Sequence, residues 1–257
     1  MLVDSHCHID FPEFAGRIPQ VLENMAQNEV GCALCVCINL RDFPKVLELA
    51  LKHAQLYASV GVHPDQAPDT EAEIADLTER ARHPRVLAIG ETGLDYYRQA
   101  GDPEWQRTRF RTHIRAARAC AKPLIVHTRS ASEDTLRILR EERADEVGGV
   151  MHCFTESLEF AKAAMELNFY ISFSGIVTFS NAHEIKKVAQ AVPLKRILIE
   201  TDSPYLAPVP MRGKINEPAW VRHVAQEVAR LRGISLDTLA AATTRNFSAL
   251  FRPAQTL

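Results

Sequence analysis

The sequence predicts an α/β fold, a (β/α)8 barrel of the TIM type, and three observations carry that expectation. Eight short apolar runs recur along the 257 residues. Amphipathic segments of helical period separate them. The ionisable residues that interrupt the runs gather at the same end of each. Strand and helix alternating eight times in about 250 residues is the pattern of such a barrel. A doubly wound open sheet shares the alternation. The placement of the polar residues favours the barrel, which builds its site at the C-terminal ends of its strands.

The elements follow in order. The run MLVDSH (1–6) leads to the amphipathic IPQVLENMAQNE, and CALCVCI (32–38) to FPKVLELALKHA. LYASVGV (56–62) precedes EAEIADLTERAR, and VLAIGE (86–91) precedes WQRTRFRTHIRAARACA. The last of these helices has a strong start signal in Asp102-Pro103-Glu104: a capping residue, a proline at the first position and an acid in the first turn. PLIVHT (123–128), GVMHCF (149–154) and FYISFSG (169–175) are followed by SEDTLRILREE, SLEFAKAAMEL and AHEIKKVAQAV. RILIETD (196–202) is the eighth run, and two or more helices follow between about Glu217 and Phe251. The runs are nearly continuous in Val, Ile, Leu, Cys and Ala, as expected of strands buried on both faces. No linker-like or low-complexity segment divides them, so residues 1–257 are expected to form one domain.

Composition excludes several classes. Hydrophobic residues make up 46% and charged residues 24%, which suits a soluble globular chain. The formal net charge is −2, so a nucleic-acid substrate would be held by a local patch or bound metal, not by a generally basic surface. No apolar run approaches the roughly 20 residues of a membrane helix. The start, MLVDSHCH, lacks a basic, apolar export signal, so a cytoplasmic protein with reduced thiols is expected. Cys32 and Cys35 form a C-x-x-C, but on a strand positions i and i+3 face opposite ways, which argues against a redox or zinc pair. No membrane association and no obligate protein partner are implied.

The run ends carry the chemistry. His6 and His8 close the first, and alternate strand residues share a face. His63 follows the third in GVHPD, and Glu91 ends the fourth in GETGLDYY. His127 ends the fifth in IVHTR, His152 the sixth in MHCF, and Glu200 and Asp202 the eighth in IETDSPYLAP. An isolated H-x-H is equally compatible with surface histidines. Six apolar strands each delivering His, Glu or Asp at one end are not explained by packing, because buried imidazoles and carboxylates are costly unless paired or metal-bound. His6, His8, Glu91, His127, His152 and Asp202 offer more ligands than one tetrahedral ion needs, and with a bridging carboxylate they suit two ions. His53, His83, His113, His183 and His223 fall in or near helices and read as surface or packing residues.

The motifs DSHCHID, GVHP, GETGLDYY, IVHTR, HCFT, ISFSGIVTF, ETDSPYLAP and RGK.NEP, with NFSALF near the end, closely resemble the TatD family of metal-dependent deoxyribonucleases. They occur in order across nearly the whole chain. The resemblance implies an amidohydrolase-like barrel with one metal at His6, His8, Glu91 and Asp202. It implies a second at Glu91, His127 and His152, with Glu91 bridging. It also implies two divalent ions, Mg²⁺ or Mn²⁺ for activity, although imidazole donors equally suit Zn²⁺, Fe²⁺, Co²⁺ or Ni²⁺.

From this follows the expectation of a deoxyribonuclease acting on single-stranded DNA ends in the 3'-5' direction. The alternative is hydrolysis of another ester or amide, such as deacylation of D-aminoacyl-tRNA. Two carboxylates against two divalent ions leave a loaded site with a charge of +2, suited to a phosphodiester. Asp202 is the expected general base, and His63 the contact to phosphate or leaving group. Arg129, two residues after His127, is expected at the same opening, with Arg212 and Lys214 from the last loop. Tyr97, Tyr205 and Phe154 are candidates to stack on bases. Asp95 and Glu200 are expected to orient histidine ligands.

Overall fold

In the computed structural model, which describes residues 1–67, 71–97 and 101–253, eight parallel strands pair in chain order around a single sheet. They are β1 (Leu2–Cys7), β2 (Val30–Cys35), β3 (Leu56–Val60), β4 (Val86–Asp95), β5 (Leu124–Arg129), β6 (Gly149–Met151), β7 (Phe169–Phe173) and β8 (Ile197–Ile199). The helices between them are α1 (Ile18–Gln27), α2 (Phe43–Lys52), α3 (Ile74–Ala81), α4 (Glu104–Cys120), α5 (Ser132–Glu141), α6 (Leu158–Glu166) and α7 (His183–Ala191). Two more, α8 (Val221–Arg232) and α9 (Leu236–Phe251), follow β8. The ring closes between β8 and β1. Ser5 Oγ donates to the Ile199 carbonyl at 3.0 Å, Asp202 N to the His6 carbonyl at 2.9 Å, and Cys7 bridges Ser203. The expected barrel is therefore the observed one.

Strand alternation sorts the apolar residues into two layers. Cys32, Leu34, Val36, Tyr57, Leu87, Ile125, Val150 and Leu198 form one buried cluster with Phe247 and Phe251 of α9. Ile125, Val150 and Leu198 share parity along their strands with His127, His152 and Glu200, so this cluster is the barrel interior beneath the site. The alternate residues, among them Ala33, Cys35, Val126 and Met151, pack in a second, larger cluster with the helices. Cys32 and Cys35 thus lie in different layers, as the strand reading required. All six cysteines are free.

Four element boundaries differ from expectation, and three of them bear on the site. β4 does not end at Glu91. It runs on to Asp95, with a register shift against β5 between Ile89 and Thr92. At this irregularity Gly90 has φ +145°, and a Cβ there would meet the Ile125 carbonyl at 2.6 Å, so only glycine lets the two strands approach. Glu91 therefore projects from a bulge inside the strand. β6 and β8 are only three residues long, so His152, Glu200 and Asp202 stand on the turns beyond them. Asp202 itself has φ 56°, a left-handed conformation that aspartate tolerates better than most residues. The fourth difference is at α4, where Pro103 and not Asp102 occupies the cap position. Asp102 instead pairs with Arg107. Arg107, with three acids within reach, holds the carboxylate that would otherwise turn to the helix N–H groups.

Candidate metal centre

Glu91 is the hub of the site. Its side chain is nearly fully buried, and its two oxygens face different sets of rings. Oε2 lies 3.3 Å from His6 Nε2 and 3.8 Å from His8 Nε2. Oε1 lies 2.6 Å from His152 Nε2, 3.3 Å from His63 Nε2 and 3.4 Å from His127 Nδ1. Asp202 Oδ1 completes the first set, 3.5 Å from His8 Nε2 and 3.7 Å from His6 Nε2. The six residues expected to share a pocket do share one, and the Glu91 carboxylate stands between two groups of nitrogen donors.

The backbone explains the convergence. Asp4, fully buried in β1, accepts from His6 N at 3.2 Å and from Thr201 N at 2.9 Å, which fixes the strand carrying His6 against the turn carrying Asp202. His8 Nδ1 meets the Val36 carbonyl at 3.0 Å, so its Nε2 is turned to the pocket. Asp95 Oδ2 lies 3.1 Å from His127 Nε2, and Glu200 Oε1 lies 3.3 Å from His152 Nδ1. Both carboxylates stand where orienting groups were expected. Glu200 Oε1 also accepts from Cys153 N at 2.5 Å.

Charge and burial compete here. Burial pushes the Glu91 carboxyl up, but the imidazoles of His152, His63 and His6 outweigh it and hold it well below the usual carboxylate range. Burial likewise raises Asp202, and His8, His6 and His152 pull it back below its ordinary value. Burial lowers His63, yet Glu91 and Asp65 raise it to about 10. The ionised carboxylates are thus favoured wherever neighbouring rings carry protons. A cation supplies the same positive charge without them.

Whether these residues suit a metal is decided by the donors themselves. His152 Nε2, the ring atom turned to Glu91, is buried without a hydrogen-bond partner. His152 Nε2 stands close to Glu91 but is misaligned for a hydrogen bond. Orphaned polar atoms at full burial are rare in proteins unless something else satisfies them. Neutral imidazole nitrogens and carboxylate oxygens within ligand reach of one another are the donor set of a divalent transition metal or of a mixed magnesium or manganese site. Three such groups occur among the described residues: His6, His8 and Glu91; His6, His152 and Asp202; and His63, Glu91 and His127. The residues fit a metal.

The third group adds His63 to the donors. His63 is expected to contact phosphate or the leaving group, and its position adds a second role. Its Nε2 sits against Glu91 Oε1, and Asp65 Oδ1 fixes its Nδ1 at 2.6 Å. His63 stands among the donors, and Asp65, two residues on, is an orienting carboxylate that sequence reading missed. The signal was the H-P-D spacing itself.

The remaining candidates divide. Arg129 lies at the end of β5 on the same parity as His127, with its guanidinium 3.8 Å above the exposed Tyr97 ring. No hydrogen bond from it appears among the described residues. Arg212 stacks on Phe179 at 3.9 Å and donates to the Ala207 carbonyl, so its own loop holds it. Lys214 is exposed and has no ion pair among the described residues. Phe154 is a core residue, packed near Phe160 and Phe173, and is not available to a substrate.

Sequence reading also missed one face of α4. Gln106, Arg109 and His113 are buried polar residues at i, i+3 and i+7. Gln106 bonds the Pro64 carbonyl and both the N–H and carbonyl of Asp95. Arg109 bonds the His63 and Gln66 carbonyls, and His113 Nε2 accepts from Val62 N at 2.9 Å. Burial keeps His113 neutral, lowered to about 4. This face clamps the loops that present His63 and Asp95. The visible signal was polar residues on the same helical face as Phe110, Ile114 and Ala117.

Comparison with known proteins agrees with this geometry. The family model described as TatD-related DNase matches residues 3–252. The chain belongs to the TatD family. It is 47% identical to YcfH of Escherichia coli K12, named an uncharacterized metal-dependent hydrolase, over 97% of this chain and 95% of that protein. It is 31% identical to the protein of Edwardsiella piscicida named 3'-5' ssDNA/RNA exonuclease TatD, over 98% and 99%. Among solved structures, the TatD homologue YjjV of Escherichia coli K12 superposes with a TM-score of 0.89 at 29% identity, covering 98% of both chains. This TatD-family member is a metal-dependent hydrolase on a TIM-type barrel. Among its described residues, no helix is long and apolar enough to cross a membrane.

Proposed function

We propose that this chain is a divalent-metal-dependent deoxyribonuclease that removes nucleotides in the 3'-5' direction from single-stranded DNA ends, in the cytoplasm. The observation that carries the reading is the Glu91 carboxylate standing between two sets of donors, a layout suited to two cations and a phosphate. A relative of full-length similarity named as a 3'-5' ssDNA/RNA exonuclease supports the substrate class. Free thiols at every cysteine suit a reducing compartment. The whole chain, 1–257, acts as one domain in this reading.

His6, His8, Glu91 and Asp202 would hold one ion, and Glu91, His127 and His152 the other, with His63 beside them. Magnesium or manganese would serve activity, and zinc, iron, cobalt or nickel would also suit the imidazoles. Divalent cations held there supply an acidified water and neutralise phosphate charge. Asp202, ionised and at the rim of the pocket, takes the proton from the attacking water. Asp95, Glu200 and Asp65 hold the rings of His127, His152 and His63 in one orientation. Arg129, braced on Tyr97, binds a phosphate oxygen, and Arg212 and Lys214 flank the opening from the last loop.

Single-stranded oligonucleotides labelled at either end, incubated with magnesium or manganese, test this. A 5'-labelled strand should shorten one nucleotide at a time, and chelator should stop it. Chelator-sensitive hydrolysis of D-aminoacyl-tRNA with no cleavage of either strand would replace the nuclease reading with the deacylase one. Arg129→Ala should raise KM by about 10- to 100-fold, the loss of a charge-assisted hydrogen bond, with metal content held at the wild-type value. An unaltered KM would show that Arg129 does not meet the substrate.

A further inference from the structure

Of the aromatic residues near the mouth, Phe154 is in the core and Tyr97 carries Arg129 on its face. Tyr205 is different. It is 55% exposed, yet its position is fixed from several sides. Tyr205 N donates to the Asp202 carbonyl at 3.0 Å, and Asn216 Nδ2 donates to the Tyr205 and Thr201 carbonyls at 2.7 and 2.9 Å. Phe11 repeats the arrangement on the turn after β1, where Phe11 N donates to the His8 carbonyl at 3.1 Å. Each aromatic thus lies three residues beyond a donor of the metal centre, folded back by a turn. His8 N donating to the Ser203 carbonyl at 2.8 Å ties the two turns together.

The rings form a continuous row. His8 and Phe11 are stacked, with centroids 4.9 Å apart and planes at 22°. Phe11 meets Tyr205 edge to face at 6.2 Å and 76°. The row therefore begins at a ring of the metal centre and ends at an exposed phenol on a pinned loop. Packing alone does not call for this. An exposed, rigidly held aromatic beside a catalytic pocket is the usual form of a stacking surface for a flat ligand.

We propose that Phe11 and Tyr205 form a stacking surface for the nucleobase of the nucleotide that carries the reacting phosphate, positioned by the paired turns and by Asn216. This rests on the nuclease reading above and narrows it: the ligand is a nucleotide end bearing a base. Recognition through the π face is indifferent to base identity, because every base has one.

Two measurements test the proposal. In the first, a single-stranded oligonucleotide is compared with the same strand ending in an abasic nucleotide. Wild-type protein should prefer the base-bearing end, and Phe11→Leu and Tyr205→Leu, which keep apolar bulk, should each reduce that preference by about 5- to 150-fold, the range of base–aromatic stacking. Equal losses on both strands, leaving the preference intact, would show that the rings merely shelter His8 and Asp202, and would overturn the platform. In the second, calorimetry compares dAMP with deoxyribose 5-phosphate. Tighter binding of dAMP by wild type, reduced in Tyr205→Leu, supports the platform even if no oligonucleotide is cleaved. Equal binding of the two by wild type overturns it, whether or not strands are cleaved. The nuclease reading itself fails only on the cleavage assay.

Discussion

If Glu91 bridges two cations as proposed, Glu91→Gln should release both and reduce turnover on the order of 10³-fold or more. The size follows from the place of this carboxylate. Oε2 serves His6 and His8, and Oε1 serves His63, His127 and His152. A neutral amide removes one anionic ligand from each side, and the side that meets its NH₂ is left with a group that cannot ligate a cation. Several kcal/mol of charge stabilisation are lost, at a factor of ten for each 1.36 kcal/mol. Metal content by mass spectrometry, read beside turnover at saturating metal, measures the effect, and circular dichroism confirms the fold. A variant that kept both ions would show that Glu91 does not bridge them.

How far the sequence reaches is clear from this same residue. Glu91 was legible as a candidate because it interrupts an apolar run with a charge that burial makes costly. Its projection from a bulge was not, since the Gly90 contact with Ile125 depends on a neighbour distant in sequence. The same division holds elsewhere. His6, His8, His127 and His152 could be placed at strand ends by period and order. Strand ends at β6 and β8 could not, because those depend on where turns pull the chain away from the ladder. For His63 the loop was legible, but its closeness to Glu91 was not. Arg109 and His113, on a helix distant in sequence, set that loop's backbone, and Asp65 sets the ring. The eightfold order of strands was recoverable because each strand is buried on both faces, which writes itself as uninterrupted apolar runs. The paired turns at Phe11 and Tyr205 needed three-dimensional register between β1 and the loop after β8, and no local pattern carries that.

Asp202→Asn should act differently from Glu91→Gln, and the contrast separates ligand from base. Asp202 lies nearest His6 and His8, with His152 also within ligand reach, and it belongs to no ligand group with His127. The His127 and His152 side keeps every donor, so that ion should remain at about the wild-type occupancy. Asparagine tolerates the left-handed φ of 56° as aspartate does, so the backbone bonds to His6 and Tyr205 should persist. What disappears is an ionised acceptor at the rim of the pocket. Its amide replacement cannot take a proton from water, and turnover should fall by roughly 10²–10⁴-fold. Metal loss on one side alone, with that fall in rate measured at saturating metal, is the expected pair of results. Near-normal turnover would mean that another group accepts the proton. His63, held by Asp65 at 2.6 Å and facing Glu91 from within the pocket, would then be the residue to replace, with His63→Gln read in the same two assays.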